Sequence, residues 1–353
     1  MAGRISIVTN YPLDPIHPRT EMIFSLLKSM GYEVNIHNPF LKRTSFQNLL
    51  LKLTLGYFDL AGAARVRSKI GGDDLVIIQG LIYLPLSGYA RRKNIPVIYE
   101  TLDNNVHLFY YYLSRKYPIL KRITFILRFL EKLEKRYVRK NVKMTIVNSG
   151  ALKKYFNDQA ELIYYSSPLE SISNQPHEEA ALLYLGSFEK MKGAMEILDF
   201  TGNFRLPLLI AGTIYEPDIL STVNRLPDIR YVERISSDRL KALLKEYTGK
   251  YYLLGMSMTR GVNLSNKTQE LNKDIDYLAM GIPIIGNDRQ PTAEKIEAGC
   301  GIYFNDTVKI KEILKNKEKR KELSVNCTGY YNRNYSRKIF AEKFSRIINA
   351  LTT

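Results

Sequence analysis

Along this chain, short unbroken apolar runs alternate with stretches in which apolar residues recur every three or four positions. Arg4 to Thr9 (RISIVT) is a first run; after the loop Asn10 to His17, the stretch Thr20 to Gly31 places Ile23, Leu26, Leu27 and Met30 on one helical face. Glu33 to His37 reads as a second strand, so the chain opens as a β-α-β unit. Further strands are predicted at Leu75 to Ile78, Val97 to Tyr99 and Met144 to Val147, the last running into Asn148-Ser149 and another helix. A polar, irregular stretch from Tyr164 to Glu179 then reads as a linker. Beyond it a second series predicts strands at Ala181 to Leu185, Leu206 to Ala211, Ile229 to Val232 and Tyr251 to Gly255, with helices at Ala194 to Asp199 and Asp238 to Glu246. Strands apolar on both faces and separated by helices belong to parallel sheets covered on both sides.

The densest signal is Asn272 to Asp288, NKDIDYLAMGIPIIGND. Asn272 is placed to cap a helix, Asp274 and Asp276 fall in its first turn, and Ile275, Leu278 and Ala279 share one face. Gly281 then ends the helix, and Pro283, Ile284 and Ile285 read as a buried strand entering the polar loop Gly286-Asn287-Asp288. Gly301 to Phe304 is predicted to complete the sheet, and a last helix spans about Ser336 to Ala350.

With 353 residues, two domains are expected, and 45% hydrophobic with 25% charged residues excludes disordered and collagen-like classes. Two cysteines, Cys300 and Cys327, are too few for a disulfide framework and do not form a metal pattern, which points to a reducing compartment. No secretory signal or apolar window of membrane-spanning length is read in the sequence. The net charge of +17 implies a polyanionic neighbour. Between Arg115 and Lys143 stand eleven Lys/Arg against only Glu131 and Glu134, interleaved with apolar residues, as in a basic amphipathic helix or helix pair. That segment predicts a cytoplasmic protein held peripherally on an anionic membrane face, with an ordinary surface helix as the plainer reading. Nucleic acid is not the expected partner, since no helix-turn-helix, RNA-binding or zinc signature accompanies the charge.

The run from Asn272 resembles the helix-strand signature of family-4-type glycosyltransferases of the GT-B fold, commonly Asn-Lys-x-x-Glu-Tyr-x-Ala-x-Gly-x-Pro-Val-Ile; Gly31-Tyr32-Glu33-Val34 and Lys192-Gly193 fit other segments of that family. The resemblance implies an α/β protein with two Rossmann-like parallel-sheet domains facing a cleft: residues 1–163 on the acceptor side, a linker at 164–179, a nucleotide-sugar domain at 180–335, and a terminal helix, 336–353, crossing back to the first domain. It implies transfer of a sugar from a nucleoside-diphosphate sugar, such as a UDP-sugar, to an acceptor hydroxyl on a saccharide or lipid-linked saccharide. No metal or cofactor beyond the donor is implied, and the setting would be surface polysaccharide or glycolipid assembly. A non-catalytic basic protein binding nucleic acid or another polyanion is the alternative.

On the donor side, Gly186 and Ser187 form a turn after a strand, and Lys192 offers a charge for the departing diphosphate; Ser187 stands where the family carries arginine, with Lys190 as a substitute. Asp276 takes the position of the ribose-binding glutamate. Thr268 occupies the family's sugar-contacting glutamate position, with Gln269 and Glu270 beside it, and the turn at Ile235 matches one that holds the nucleobase. Each also reads more plainly: Lys192 as a solvated charge, Asp276 as a helix-start charge and Ser237 as an N-cap. Asp274-Ile275-Asp276 spells a metal-binding pattern of the other glycosyltransferase fold, but inside a helix. On the acceptor side, His17 lies in the first loop, and Glu100, Asp103 and His107 follow the strand Val97 to Tyr99; Asp103 is the preferred base for an inverting reaction, with a turn residue as the plainer reading. His37 and His177 are expected to face solvent.

Overall fold

A computed structural model describes residues 3–11, 13–14, 16–39, 59–116, 124–233, 235–259 and 269–352. The chain forms two compact units: Met1–Tyr164 with Phe340–Thr353, and Tyr165–Ile339.

The first unit is built on β1 (Arg4–Thr9), β2 (Glu33–His37), β3 (Leu75–Gln79), β4 (Val97–Thr101), β5 (Met144–Val147) and β6 (Glu161–Leu162), all parallel, in the order β2-β1-β3-β4-β5-β6. Every residue of β3 and β4 is buried, as required of central strands with helices on both faces. One face is covered by the helices Pro18–Ser29 and Arg337–Thr352, the other by Leu60–Arg67, Leu86–Arg92 and Thr124–Asn141. The terminal helix Arg337–Thr352 reaches this core through Phe340, Phe344, Ile347 and Ile348, a stripe at helical spacing. Tyr32 and Thr352 share a 2.8 Å hydroxyl-hydroxyl hydrogen bond at its end.

The second unit holds β7 (Ala180–Leu185), β8 (Leu208–Ala211), β9 (Ile229–Val232), β10 (Tyr252–Ser257), β11 (Ile284–Gly286) and β12 (Gly301–Tyr303), parallel in the order β12-β11-β10-β7-β8-β9. Gly281 ends the helix Asn272–Ala279 with φ +69.

Several local expectations need correction. Leu271, not Asn272, occupies the N-cap position, and the first turn contains Asp274 but not Asp276. The first helix begins at Pro18, with His17 as its N-cap, and Ser236 rather than Ser237 precedes the helix Ser237–Thr248. The stretch 164–179 is irregular yet tightly packed: Leu169, Ile172 and Asn174 are buried, and the Asn174 side chain accepts from Leu253 N at 2.9 Å and donates to Leu253 O at 3.0 Å. Elsewhere in the stretch Glu170, Ser171, Ser173, Gln175, Glu178 and Glu179 are exposed to solvent. His37 and His177 are half-buried and hydrogen-bonded, to Ser6 Oγ at 3.1 Å and to Thr248 O at 2.7 Å.

Candidate functional site

Each sheet reverses its strand order once. In the second unit the chain runs outward from β7 through β8 to β9, then returns to place β10 on the other flank of β7. Open α/β sheets take ligands at the carboxyl ends of strands flanking such a reversal.

The exit of β7 is closely fitted. Gly186 turns the chain with φ +103, and a Cβ on Gly212, at the end of β8, would overlap the Gly186 carbonyl. Gly193 has φ +76, and a Cβ there would lie 2.5 Å from Met258 Cβ, just past β10. Within this turn the Lys192 ammonium donates to Ser187 Oγ and lies 3.4 Å from Glu189 Oε1. Tyr184 Oη fixes the same turn by donating to Ser187 O at 2.8 Å. Lys190 points elsewhere: its ammonium pairs with exposed Asp218, and its amide donates to Glu216 at 2.7 Å. In this structure its ammonium is thus directed away from Ser187.

Across the reversal, the helix Asn272–Ala279 begins beside β10. Asp274 is fully buried and accepts from Ser257 Oγ and, at 2.8 Å, from Thr292 Oγ1, with Arg289 4.0 Å away. Asp276 stands roughly 200° further round the helix. It accepts from Ser167 Oγ at 2.6 Å, and burial pushes its carboxyl up to about 7 against that hydrogen bond. The two carboxylates thus serve different partners. Glu270 is buried in an ion pair with Lys295 at 2.5 Å, and burial raises its pKa above the ordinary carboxyl value. The Gln269 carbonyl accepts from Arg289, and Ile235 is half-buried just before Ser236. Thr268 lies outside the described residues.

Lys273 and Arg289 were not singled out from the sequence. Lys273 belongs to the Asn-Lys pair of the signature, but a lysine at a helix start reads as solvated; only the fold reveals its ammonium 4.1 Å from the centroid of the Tyr184 ring.

The first unit reverses between β1 and β3. There Arg19 is fully buried, donating to Glu100 Oε1 at 2.7 Å and to Tyr164 O at 2.8 Å beneath the Phe340 ring. Gln79 donates to the other Glu100 oxygen at 2.6 Å and accepts from Thr20 Oγ1 at 2.7 Å. With both oxygens engaged, Glu100 is an anchor for the helix Pro18–Ser29 on the sheet. His17 caps that helix, accepting from Arg19 N at 3.3 Å, and stacks on Tyr11 with centroids 4.4 Å apart. Asp103 is half-buried, its carbonyl accepting from Thr101 Oγ1 at 2.8 Å. Burial first, then the negative charges of Asp103 and Glu100, hold the Tyr11 hydroxyl well above its ordinary pKa, so these groups lie within electrostatic reach of one another. His107 is set apart from them by its 2.6 Å bond to Glu131, which ties the helix Asn105–Lys116 to Thr124–Asn141. Among the described residues no three His, Cys, Asp or Glu side chains converge as a metal site requires.

No protein-family profile matches this sequence, and no curated protein sequence matches it significantly. Solved structures do match over nearly its whole length. The glycosyltransferase AviGT4, involved in avilamycin A biosynthesis, aligns over 99% of this chain and 98% of its own with a TM-score of 0.58 and 13% identity. A structure described as trehalose-6-phosphate from E. coli bound with UDP-2-fluoro glucose aligns over 99% of both chains at TM-score 0.61 and 12% identity. The UDP-GlcNAc 2-epimerase from Neisseria meningitidis bound to UDP-GlcNAc aligns over 99% of both chains at TM-score 0.50 and 12% identity. At such identities the likeness speaks for architecture, and fold alone does not assign a reaction. Two six-stranded parallel sheets, each flanked by helices, matched end to end by these proteins, give this chain the GT-B fold.

Proposed function

We propose that this protein is a glycosyltransferase that moves a sugar from a nucleoside-diphosphate sugar, a UDP-sugar by analogy with its structural neighbours, to an acceptor hydroxyl. The observation that carries this reading is the β7–β10 reversal, where the Gly186–Gly193 turn holds Lys192 within electrostatic reach of Lys273, at the start of the helix bearing Asp276. In the reaction the bond from the anomeric carbon to the diphosphate oxygen breaks, and a bond to the acceptor oxygen forms. Lys192 offsets charge developing on the leaving diphosphate, and Asp276 takes the ribose hydroxyls, exchanging its hydrogen bond to Ser167 for them. In an inverting reaction Asp103 receives the acceptor proton. In this reading the leaving charge is met by lysine and not by a divalent ion, and transfer is expected to continue in excess chelator; among the described residues no three His, Cys, Asp or Glu side chains converge.

The acceptor side of this reading is a lipid-linked saccharide at an anionic membrane face, in surface polysaccharide or glycolipid assembly. It is supported by the helix Thr124–Asn141, where Phe125, Phe129 and Leu133 are 70%, 62% and 38% exposed at four-residue spacing. Arg128, Lys132, Arg136, Arg139 and Lys140 flank them, exposed. Aromatic residues held out in water beside cations suit an anionic interface. No helix among the described residues is long and apolar enough to cross a membrane.

The test is a thermal-shift panel of nucleoside-diphosphate sugars in the presence of excess nucleic acid. A UDP-sugar is expected to raise the melting temperature while nucleic acid alone does not. Stabilisation by nucleic acid with no response to any nucleotide sugar would replace this reading with a polyanion-binding protein.

A further inference from the structure

Among the described residues, Lys273 Nζ is the only lysine nitrogen that is shielded from solvent and makes no hydrogen bond. Its ammonium lies over the face of Tyr184 at 4.1 Å, a weak substitute for water, and the only charge that favours it there is that of Asp274. The adjacent carboxylate, Asp274, is already committed to Ser257, Thr292 and Arg289. Other charges felt there are unfavourable, since Lys192 and Arg289 both repel it. A buried cation without an anion is costly, so its persistence asks for an anion that arrives later.

The place where that anion would sit is defined by the fold. Lys273 is the second residue of the helix Asn272–Ala279, so the positive end of the helix dipole adds to its field. Tyr184 lies on β7, one residue before its end, and its hydroxyl holds the Ser187 carbonyl in the turn that presents Lys192. Lys190 is withdrawn to Asp218 and leaves this side of the turn without a second lysine of its own.

We infer that Lys273 is a second cation for the donor diphosphate, swinging off the Tyr184 ring to meet a phosphate oxygen opposite Lys192. Its four-carbon stem and three donors allow that short movement without disturbing the helix. Burial, partly offset by Asp274 and reinforced by Lys192 and Arg289, pushes the ammonium down to about 7, whereas a bound phosphate restores its charge. Nucleotide binding therefore takes up a proton above neutral pH. This inference rests on the donor-site reading above.

The experiment is calorimetric titration of the folded full chain with UDP, GDP, ADP and uridine at pH 8, in two buffers of different ionisation enthalpy. Wild type is expected to bind a nucleoside diphosphate with uptake of about one proton, falling towards none at pH 6. Lys273→Met is expected to bind that diphosphate about ten- to one-hundred-fold more weakly, without proton uptake, and to leave any uridine affinity unchanged. Equal diphosphate affinity and equal proton uptake in wild type and Lys273→Met would overturn the role of Lys273 while leaving the donor site standing. Failure of wild type to bind any nucleoside diphosphate would overturn the donor site and this inference together. Proton uptake by wild type needs no variant, so its absence at pH 8 counts against the proposal even if Lys273→Met does not fold.

Discussion

Ser167 Oγ donates to Asp276 Oδ1 at 2.6 Å, tying the segment that enters the second unit to the helix of the sequence signature. The carboxylate is thereby oriented before any ligand arrives, and burial keeps it near neutrality at about 7. Asp276→Asn is expected to weaken nucleotide binding by about 1 kcal/mol, and Lys192→Ala by about 1–3 kcal/mol, the range of a charge-assisted hydrogen bond. Calorimetry with both proteins folded checks this; unchanged affinity in both removes the donor-site assignment.

The Gly186 turn depends on Gly212. A methyl there collides with the Gly186 carbonyl, a backbone atom that cannot swing aside. Gly212→Ala is expected to destabilise the second unit by about 3 kcal/mol and to reduce nucleotide affinity with it. Denaturant unfolding monitored with and without nucleotide measures both, and a wild-type midpoint would show that the turn tolerates displacement.

Glu100 and Asp103 sit close along the chain but should behave oppositely. Glu100→Ala leaves Arg19 buried with its main counter-charge gone, so a loss of about 3–5 kcal/mol in stability is expected. Asp103→Ala should leave the melting temperature near wild type and lower turnover by about 100-fold or more if Asp103 accepts the acceptor proton. Retained turnover in Asp103→Ala moves the role to His17, His107 or Glu100, or points to a retaining reaction without a protein base.

Membrane docking through the helix Thr124–Asn141 is checked by co-sedimentation with liposomes. Binding to anionic vesicles should fall steeply with salt and weaken when Arg128 and Lys132 become Ser, each charge contributing about 1 kcal/mol. Phe125→Ser with Phe129→Ser should weaken it further at any salt concentration. Recovery of the protein in the supernatant at low salt would favour a soluble acceptor. The flanking segments at residues 40–58 and 117–123, including Lys121 and Arg122, lie outside the described residues.

Glu134 gives a pH signature to the first unit. It accepts from Tyr99 at 3.0 Å and Tyr155 at 2.7 Å, yet burial outweighs both and pushes its carboxyl up to about 7. Because the folded value exceeds the unfolded one of about 4.3, the contribution is fully present below pH 4 and is lost as pH rises through 7. Melting temperature is expected to decline between about pH 4 and 7, with Glu134→Gln flattening that part of the profile; an unchanged slope in the variant assigns the dependence to other groups.

Sequence alone determined the strands of the sheet interiors, because β3, β4 and β7 need apolar residues on both faces and their runs are correspondingly unbroken; the two-residue edge strand β6 is too short to carry such a pattern and was missed. It also determined Gly281 as a helix end, since a left-handed φ favours glycine, and it put a last helix at about Ser336 to Ala350, where Arg337–Thr352 forms. Tertiary structure decided what each charge is for. Glu100 and Asp103 look alike in a line of text, yet one is spent on Arg19 and Gln79 and the other lies near Tyr11; Lys190 pairs with Asp218, whereas Lys192 turns to Ser187 and Glu189. Lys273 and Tyr184 are far apart in sequence and meet only because β10 returns beside β7. Local periodicity is set by which face must be buried, and so it is written in neighbouring residues. A charge acquires its role from desolvation and partners that only the folded chain brings together.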